Sequence, residues 1–352
     1  MAPYTYQIVS LLLGVWLARA QRLGEVCTRV DETRGRCKDL KECLSEGGSA
    51  ESVGRLKLCS NIDFSGVIVC CRSNSAAIAR RKCQDWQIQR KNSGSSCSVT
   101  IPLVRGGEEA LVGEFPHMAV ILAETERGSV HVCGGSLIAQ DWVLTAAHCI
   151  TRDKIAVRLG AHDLREAEQG ISFVVNVLRI VVHPEFDLPR RYNDIALLQL
   201  GLKAPIRRRI QPACLPYKNN RVEGGEQLVV AGWGKTGEGE PTSNVLRKAE
   251  VRSISRYACD QHSTFNLRRS SNTYPVGITD SIICVDEKDE GSCQGDSGGP
   301  LMLERSEACS QEVVGLVSRG ILECKGTAVP GLYTRIEYYL DWIVNTVWRD
   351  EV

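Results

Sequence analysis

Residues 295–300 read GDSGGP, and they follow two other short motifs, TAAHC at 145–149 and NDIALL at 193–198. Taken alone, each motif has an ordinary structural explanation. Together they supply His148, Asp194 and Ser297 in that order, which is one of the few chain orders in which a hydrolytic triad is built. A serine hydroxyl is a poor nucleophile at neutral pH and needs a base within hydrogen-bonding reach. The motifs therefore predict His148 as the base for Ser297, with Asp194 orienting the imidazole.

The chain around these motifs has the pattern of an all-β domain. From residue 104 onward, apolar runs of strand length, such as 117–122, 173–182 and 227–231, alternate with Gly, Pro and Asn. Residues 338–348 instead space their apolar side chains at helical intervals. This spacing predicts one amphipathic C-terminal helix that docks on the β core.

Composition excludes several broad classes of protein. The chain has 352 residues, of which 43% are hydrophobic, and 43 basic side chains balance 42 acidic ones. Hydrophobic content at this level excludes wholesale disorder, and the charge balance argues against a nucleic-acid partner. Sixteen cysteines are hard to keep unreactive in a reducing cytosol, so we expect an extracellular protein.

The N-terminus agrees with secretion. Residues 8–17 form a short apolar run that ends in Ala18-Arg19-Ala20, a small-residue pattern typical of a signal-peptidase site. The run is shorter than the roughly 20 residues needed to span a bilayer. We therefore expect a signal peptide at 1–20 and no membrane association of the mature chain.

Residues 104–349 resemble a chymotrypsin-fold serine protease. The three motifs carry this resemblance, together with CGGSL at 133–137, WVL at 142–144, GWG at 232–234 and PGLY at 330–333. The resemblance implies two six-stranded antiparallel β-barrels followed by the C-terminal helix, and it implies serine endopeptidase activity. The N–H groups of Gly295 and Ser297 would then form the oxyanion hole.

The same resemblance implies a zymogen. Asp296 would pair with the α-ammonium group that is created when the zymogen is cut. The stretch LVRGG at 103–107 matches the start of the family's mature chain, so the expected cut lies between Leu103 and Val104. Cleavage after Arg105 is the alternative, but Gly106 has no side chain to anchor the insertion. A cut after leucine resembles the subgroup that acts midway in arthropod extracellular cascades.

The primary specificity pocket lacks the acid that selects basic side chains. Gly291, six residues before Ser297, matches the pocket floor, while Gly320 and Gly331 match its walls. We therefore expect an apolar or aromatic P1 residue. Asp289 and Glu290 lie just upstream, and a shifted loop would bring an acid back into the pocket.

Residues 318–320, Ser318-Arg319-Gly320, match the segment that pairs with the substrate backbone like an added strand. Arg319 replaces the usual aromatic residue. Two roles stay open for the Arg319 side chain. Its charge favours acidic substrate residues upstream of the scissile bond, or the side chain folds into solvent.

Six cysteines crowd the N-terminal region and end in a Cys-Cys doublet. Spacing alone leaves 15 connectivities open. The pattern resembles the clip domain of arthropod serine proteases, and zinc binding is disfavoured because this region contains no histidine. The resemblance implies the pairs Cys27 with Cys70, Cys37 with Cys59, and Cys43 with Cys71.

The other cysteines fall in the linker and in the protease region. Resemblance implies three pairs there: Cys133 with Cys149, Cys259 with Cys284, and Cys293 with Cys324. It also ties a linker cysteine to Cys214, and Cys97 is preferred over its rival Cys83 because it is nearer. Cys309 would then take the remaining linker cysteine.

These observations divide the chain into five parts. Residues 72–103 are rich in basic and small polar side chains, so we expect an exposed, flexible connector that proteases can reach. The expected parts are a signal peptide at 1–20, an N-terminal segment at 21–26, a clip domain at 27–71, a linker and activation segment at 72–103, and a protease domain at 104–352.

Together, the motifs, the cysteine pattern and the family resemblance predict a secreted serine endopeptidase zymogen of haemolymph or perivitelline fluid. Its expected partners are an upstream activating protease, a downstream protease zymogen and a serpin-type inhibitor. After activation the expected state is a monomer of disulfide-linked light and heavy chains. No cofactor is expected and no metal either, because Ala161 stands where calcium-binding relatives have a carboxylate. The alternative is a non-catalytic cascade cofactor or binding module of the same fold.

Overall fold

The structure is a computed structural model, and its chain divides into two compact units, Met1–Asn74 and Ser75–Val352. It describes residues 26–28, 34–45, 58–59, 67–72, 75–92, 107–126, 128–151, 154–165, 172–188, 190–217, 221–237, 239–262, 274–287, 295–305, 310–319 and 329–351. None of the helices in these ranges combines the length and the apolar character that a membrane span requires.

The N-terminal unit is a small antiparallel sheet with one short helix. Its elements are β1 (Val26–Thr28), β2 (Arg34–Asp39), α1 (Leu40–Ser45) and β3 (Ile68–Arg72), and the strand order is β1-β2-β3. Three disulfides connect them, joining Cys27 to Cys70, Cys37 to Cys59, and Cys43 to Cys71. These are the pairs that the resemblance to clip domains implies.

The first barrel of the catalytic unit is closed and antiparallel, with the strand order β10-β7-β6-β5-β8-β9. Its six strands are β5 (Met118–Thr125), β6 (Gly128–Ala139), β7 (Trp142–Thr145), β8 (Ile155–Leu159), β9 (Phe173–Val182) and β10 (Ala196–Leu200). Side chains alternate between two environments along β5, as the period of two in a strand requires. Ala119 and Ile121 belong to the apolar cluster of this barrel, whereas Met118 and Val120 belong to a larger cluster that includes residues of the second barrel.

The second barrel also closes, because β11 pairs with both β14 and β12. Its order is β11-β14-β15-β16-β13-β12, and the two-residue strand β4 (Glu108–Glu109) adds to β12. The strands are β11 (Gln227–Gly232), β12 (Arg247–Ile254), β13 (Ile282–Asp286), β14 (Pro300–Arg305), β15 (Ser310–Arg319) and β16 (Gly331–Arg335). The expected fold of two six-stranded antiparallel barrels is confirmed.

The expected C-terminal helix is present as α4 (Ile336–Val347). Its buried residues recur at intervals of three and four, which places them on one face; they are Ile336, Tyr339, Leu340, Ile343 and Val344. This face belongs to the apolar cluster that contains residues of both barrels. A shorter helix, α3 (Arg256–Asp260), begins after Ser255, whose hydroxyl accepts a hydrogen bond from the Ala258 N–H at 3.2 Å.

The expectation of a flexible connector is wrong for residues 75–92, which form the 18-residue helix α2 (Ser75–Asn92) of the catalytic unit. Its sequence is rich in Ala, Arg, Lys and Gln, which are strong helix formers. Ile78 and Ala79 are buried in the same apolar cluster as α4. Charge and small side chains suggested a linker, but helix propensity and these few apolar contacts decide the structure.

Cross-links and ion pairs hold α2 in place. Cys83 forms a disulfide with Cys214, so the preference for Cys97 was wrong, because nearness in sequence is not nearness in the fold. Arg81 and Lys82 contact the carboxylate of Glu351 at 2.5 and 2.6 Å. Glu351 belongs to a 3-10 turn, Arg349–Glu351, that follows α4.

Candidate active site

His148 and Asp194 are joined by two hydrogen bonds. The backbone N–H of His148 donates to Asp194 Oδ1 at 2.9 Å, and His148 Nδ1 lies 2.7 Å from Asp194 Oδ2. The Asp194 side chain is fully buried, while the His148 side chain keeps a 16% exposed fraction. One carboxylate therefore holds both the backbone and the ring of the histidine, while the other ring nitrogen, Nε2, lies 4.0 Å from Cys149 Sγ. A ring that donates its Nδ1–H to a carboxylate has Nε2 as its proton acceptor.

His148 sits in a 3-10 turn, Ala147–Cys149, directly after β7 and Ala146. All four residues of β7 are buried, because this strand lies between β6 and β10 in the barrel. Cys149 is joined by a disulfide to Cys133 on β6. The turn that carries the imidazole is therefore anchored on both sides.

Asp194 lies just before β10 and is held from the second barrel. The Ser318 hydroxyl donates to Asp194 Oδ2 at 2.5 Å, and the Thr334 hydroxyl donates to the Asp194 backbone oxygen at 2.9 Å. The Ser318 hydroxyl and the contacts from His148 give the buried carboxylate the donors that a buried anion needs, while Thr334 holds the backbone of Asp194. Ser318 thus has a second role that the sequence analysis, which assigned it to substrate binding, did not include.

Asn193 adopts a left-handed backbone conformation with φ of 56°. Asparagine is among the residues that tolerate this region. Its side chain is held at both ends, since Tyr339 of α4 donates its hydroxyl to Asn193 Oδ1 and Asn193 Nδ2 donates to the Glu185 backbone oxygen, each at 2.9 Å. The C-terminal helix therefore helps to orient the Asp194 segment.

The turn that carries Ser297 needs glycine on both sides of the serine. Gly295 has φ of 107° and Gly298 has φ of 74°, a region that costs other residues free energy. A Cβ atom built on Gly298 would lie 2.2 Å from Thr145 Oγ1 and 3.1 Å from the Ala146 nitrogen. Glycine therefore lets the backbone after Ser297 pack against the segment that leads into His148.

Hydrogen bonds from both barrels secure the Ser297 turn. The Gly134 N–H on β6 donates to the Ser297 backbone oxygen at 2.8 Å, and the Gly298 N–H donates to the Val317 oxygen on β15 at 2.8 Å. The Ser297 residue is half-buried. The turn thus lies between the strand linked to His148 and the strand whose Ser318 contacts Asp194.

The Asp296 carboxylate points to the GWG motif at 232–234. The Gly234 N–H donates to Asp296 Oδ1 at 2.7 Å. A Cβ atom built on Gly232 or on Gly234 would lie 2.0 or 2.4 Å from the carboxylate oxygens. Both glycines are therefore required by the position of this side chain. The expected cleavage site at Leu103 and Val104 lies outside the described residues.

The residues expected to bind substrate are described in part. Arg319 ends β15 opposite Leu332 of β16, next to Ser318. Gly331 begins β16 and pairs with Val285 of β13. Gly291 and Gly320 lie outside the described residues, and so do Asp289 and Glu290.

The disulfide pairs of the protease region are also described in part. Cys133 is joined to Cys149, and Cys259 is joined to Cys284, as the resemblance implies. The cysteines Cys97, Cys293, Cys309 and Cys324 lie outside the described residues.

Sequence reasoning missed Glu287, which follows β13 and is 3% exposed. Tyr333 donates its hydroxyl to Glu287 Oε1 at 2.5 Å. The only sequence signal was the acidic run that begins at Asp286, and nothing in the run distinguished the acid that becomes buried.

A histidine–carboxylate pair from one barrel and a GDSGG turn from the other are the arrangement expected of a chymotrypsin-fold serine protease. Residues 104–343 match the Trypsin family. The chain therefore belongs to the trypsin family of serine proteases.

Similarity to arthropod proteases extends beyond the catalytic unit. Serine protease snk of Drosophila melanogaster is 33% identical over 353 residues, which cover 93% of this chain and 79% of that protein. Serine protease grass of the same species is 31% identical over 98% of this chain and 96% of that protein. Melanization protease 1 of the same species is 32% identical over 99% of this chain and the whole of that protein. The resemblance to arthropod clip-domain serine proteases is thus confirmed.

Proposed function

We propose that this chain is a secreted serine endopeptidase zymogen that acts in an extracellular proteolytic cascade on downstream protease zymogens. One observation carries the enzymatic part: a fully buried Asp194 carboxylate accepts the backbone N–H of His148 and faces its Nδ1 at 2.7 Å. This arrangement holds the tautomer in which Nε2 takes the proton of an attacking serine. A purely structural histidine has no need of two contacts with one buried carboxylate.

In the proposed mechanism Ser297 attacks the scissile carbonyl while His148 removes its proton, and the imidazolium then protonates the leaving amine. Asp194 stabilises the imidazolium. The N–H groups of Gly295 and Ser297 donate to the oxyanion, for which the left-handed conformation of Gly295 is needed. Residues 318–320 pair with the substrate backbone as an added strand.

Activation is proposed to occur between Leu103 and Val104, with the new terminus pairing with Asp296. The domain organisation that goes with it is the signal peptide at 1–20, the clip domain at 27–71 and the protease domain from 104. The Cys83–Cys214 disulfide supports the two-chain state, because it links a residue upstream of the cut to one downstream. The partners remain those expected from the sequence: an activating protease, a zymogen substrate and a serpin-type inhibitor.

The proposed cascade role is supported by relatives whose names refer to melanization and to phenoloxidase activation. Melanization protease 1 of Drosophila melanogaster and phenoloxidase-activating factor 3 of Holotrichia diomphalia match over 99% and 92% of this chain. Each is about as similar to this chain as serine protease snk, at 31–33% identity. The proposal therefore extends to zymogen substrates, and not to general digestion.

The test uses the full chain with an enteropeptidase site introduced immediately before Val104. After cleavage we expect a fluorophosphonate probe to label Ser297 and the two chains to stay linked until reduction. Ser297→Ala should remove the label, and Asp194→Asn should lower kcat about 10⁴-fold while the chain stays folded. Wild-type protein that is cut at Val104 and does not label would instead favour the non-catalytic cofactor.

A second measurement separates the two candidate activation sites. The natural zymogen is incubated with a protease that cleaves after large apolar residues, and in parallel with one that cleaves after arginine. We expect the first digest alone to produce both a Val104 terminus and fluorophosphonate labelling. Activity that appears with a Gly106 terminus would overturn the Leu103 assignment.

A further inference from the structure

A cavity of about 290 Å³ lies at one end of the second barrel, where β12 and β16 end and β13 and α3 begin. We name it the Arg335 cavity. Its charged lining residues are three arginines and two acids, namely Arg221, Arg256, Arg335, Glu223 and Asp280. Arg335 ends β16, whereas Gly331 begins it. Because five residues of a strand span about 13 Å, the cavity lies at the opposite end of β16 from the residue expected to bind substrate.

The most buried of these charged side chains is a cation. Arg335 is 7% exposed. Its guanidinium donates to three backbone oxygens, those of Asp280 at 2.9 Å, Val222 at 2.9 Å and Ile282 at 3.2 Å. Burial, with a contribution from the Arg221 charge, lowers the pKa of Arg335 to about 10. Backbone oxygens orient the guanidinium but bring no full negative charge, so an anion in the cavity would find a fixed and partly uncompensated cation.

Two further guanidinium groups flank the cavity and share one carboxylate oxygen. Arg221 Nη2 and Arg256 Nη1 each lie 2.7 Å from Asp280 Oδ1, and Arg221 Nε lies 3.1 Å from Glu223. A guanidinium has five N–H donors, and these contacts leave several of them unused on both side chains. The side chains of Arg221 and Arg256 are 40% and 55% exposed. A ligand that arrives from solvent can therefore reach the unused donors.

The charge of the lining favours a ligand with a single negative charge. Three positive and two negative side chains leave one unit of positive charge in the cavity. Glu337, in the first turn of α4, also acts on Arg335, but it is outside the lining, and burial raises its pKa. A phosphate ester carries about 1.5 to 2 negative charges at neutral pH, whereas a sulfate ester carries one. The three terminal oxygens of a sulfate ester also match three guanidinium groups better than the two oxygens of a carboxylate do.

We propose that the Arg335 cavity binds a sulfate ester of a glycan chain, with Arg335 behind the sulfate group and Arg221 and Arg256 beside it. Its volume is close to the lower limit of about 300 Å³ for small-molecule sites, which suits one sulfated sugar unit. The choice of a glycan rests on the proposed extracellular location. Binding does not use Ser297, so it is independent of the proposed catalytic function, and it would hold the protease on a sulfated surface.

The test is calorimetric titration of the full chain carrying Ser297→Ala. The probe is a sulfated heparin hexasaccharide, and the matched probe is the same hexasaccharide after chemical desulfation. We expect the desulfated probe to bind at least about tenfold more weakly. Arg256→Gln should raise the Kd of the sulfated probe about tenfold, because it removes charge-assisted hydrogen bonds. Combining it with Arg221→Gln should raise the Kd about 100-fold.

Controls separate the cavity from general electrostatic attraction and from loss of folding. Arg179→Gln removes an exposed arginine from β9 of the first barrel, and it should change the Kd by less than about twofold, because salt screens such a charge. Arg335 is left unchanged, since its loss would leave three backbone oxygens without donors. Thermal unfolding checks that each variant is folded. Hydrogen exchange should show that the probe protects residues 221–223 and 280–284 and leaves β9 unaffected.

Several outcomes would overturn the proposal. Equal Kd values for the parent chain and for Arg256→Gln would contradict the site even where the double variant unfolds. Sodium sulfate that binds as tightly as the hexasaccharide would show a free-ion site and no glycan site. A hexaglutamate peptide that binds more tightly than the sulfated probe would assign the cavity to an acidic protein partner. Protection confined to other segments would place the bound glycan elsewhere on the chain.

Discussion

Among the described residues, the N-terminal unit buries mainly cystines, whereas the catalytic unit buries mainly aliphatic and aromatic side chains. One N-terminal cluster consists of Cys27, Cys37, Cys59 and Cys70, and the other contains Cys43, Cys71 and Val69. The largest cluster of the catalytic unit instead gathers residues from both barrels, α2 and α4.

Size explains this difference. A module of about 45 residues cannot bury enough apolar area to offset the entropy of folding and needs covalent cross-links. The larger unit of two closed barrels also has disulfides, but it buries an extensive apolar core besides them. The fold of the N-terminal unit therefore depends on its three disulfides. The catalytic unit has an apolar core that is large enough to hold the buried carboxylates of Asp194 and Glu287.

The largest expected effect follows from removing one N-terminal cystine. Cys37→Ser combined with Cys59→Ser should unfold the N-terminal unit, since such a bond contributes about 2–5 kcal/mol in a small secreted domain. Hydrogen exchange of the full chain should show lost protection in peptides from residues 26–72 and unchanged protection in the barrels.

The matched change in the catalytic unit is Leu198→Ala, which creates a cavity in the cluster of the first barrel. It should cost about 2–5 kcal/mol and yet leave the barrels protected from exchange at 25 °C. Unfolded barrels in this variant, or a protected N-terminal sheet in the cystine variant, would contradict this difference between the two units.

A smaller loss of stability is expected for α2, a polar helix that is attached both by a disulfide and by apolar contacts. Cys83→Ala combined with Cys214→Ala should ease local opening of α2 by about 2–4 kcal/mol. Limited proteolysis with trypsin in the Ser297→Ala background should then cut at Arg80, Arg81 or Lys82 much faster than before. Glu351→Gln, which removes two partly exposed ion pairs, is the control and should cost less than about 1 kcal/mol. Equal cutting rates in all forms would show that apolar contacts alone hold the helix.

The smallest effect, over the range from pH 7.5 to 5, is a pH dependence assigned to the catalytic unit, where all six histidines of the chain lie. Burial, with a contribution from Arg90, lowers the pKa of His117 to about 3 from an ordinary value of 6.5. Below pH 6.5 the unfolded chain therefore binds a proton that the folded chain does not. The contribution of His117 to the free energy of unfolding should be constant above pH 6.5. Between pH 6.5 and pH 3 it should fall by at most about 1.4 kcal/mol per pH unit.

Thermal unfolding of the full chain at pH 7.5, 6 and 5 measures this dependence. His117→Gln should reduce the slope of the melting temperature with pH. Burial also lowers the pKa of His131 and of His183, so part of the slope should persist. A slope that His117→Gln leaves unchanged would contradict the assignment.

Local patterns in the sequence predicted the two barrels, the helix α4 and the pairing of His148 with Asp194. These features depend on strand-length apolar runs, on a helical spacing of apolar side chains and on motifs of a few residues, all of which are visible along the chain. The same local view mistook α2 for a flexible connector and chose Cys97 over Cys83. Both errors have one cause, because the surface that receives α2 is built from residues far away in sequence, including Cys214 and Glu351.

By itself, the amino-acid sequence determined the all-β class of the catalytic unit, the histidine and the aspartate that the fold brings together, and the need for cross-links at the N-terminus. Only the tertiary structure decided which linker cysteine reaches Cys214, that Ser318 joins His148 on the Asp194 carboxylate, and that the buried acid beside Gly331 is Glu287. The physical reason is that propensity and hydrophobic period act over neighbouring residues. Disulfide partners, buried charges and the walls of a pocket depend instead on distances between strands that the chain brings together only by folding.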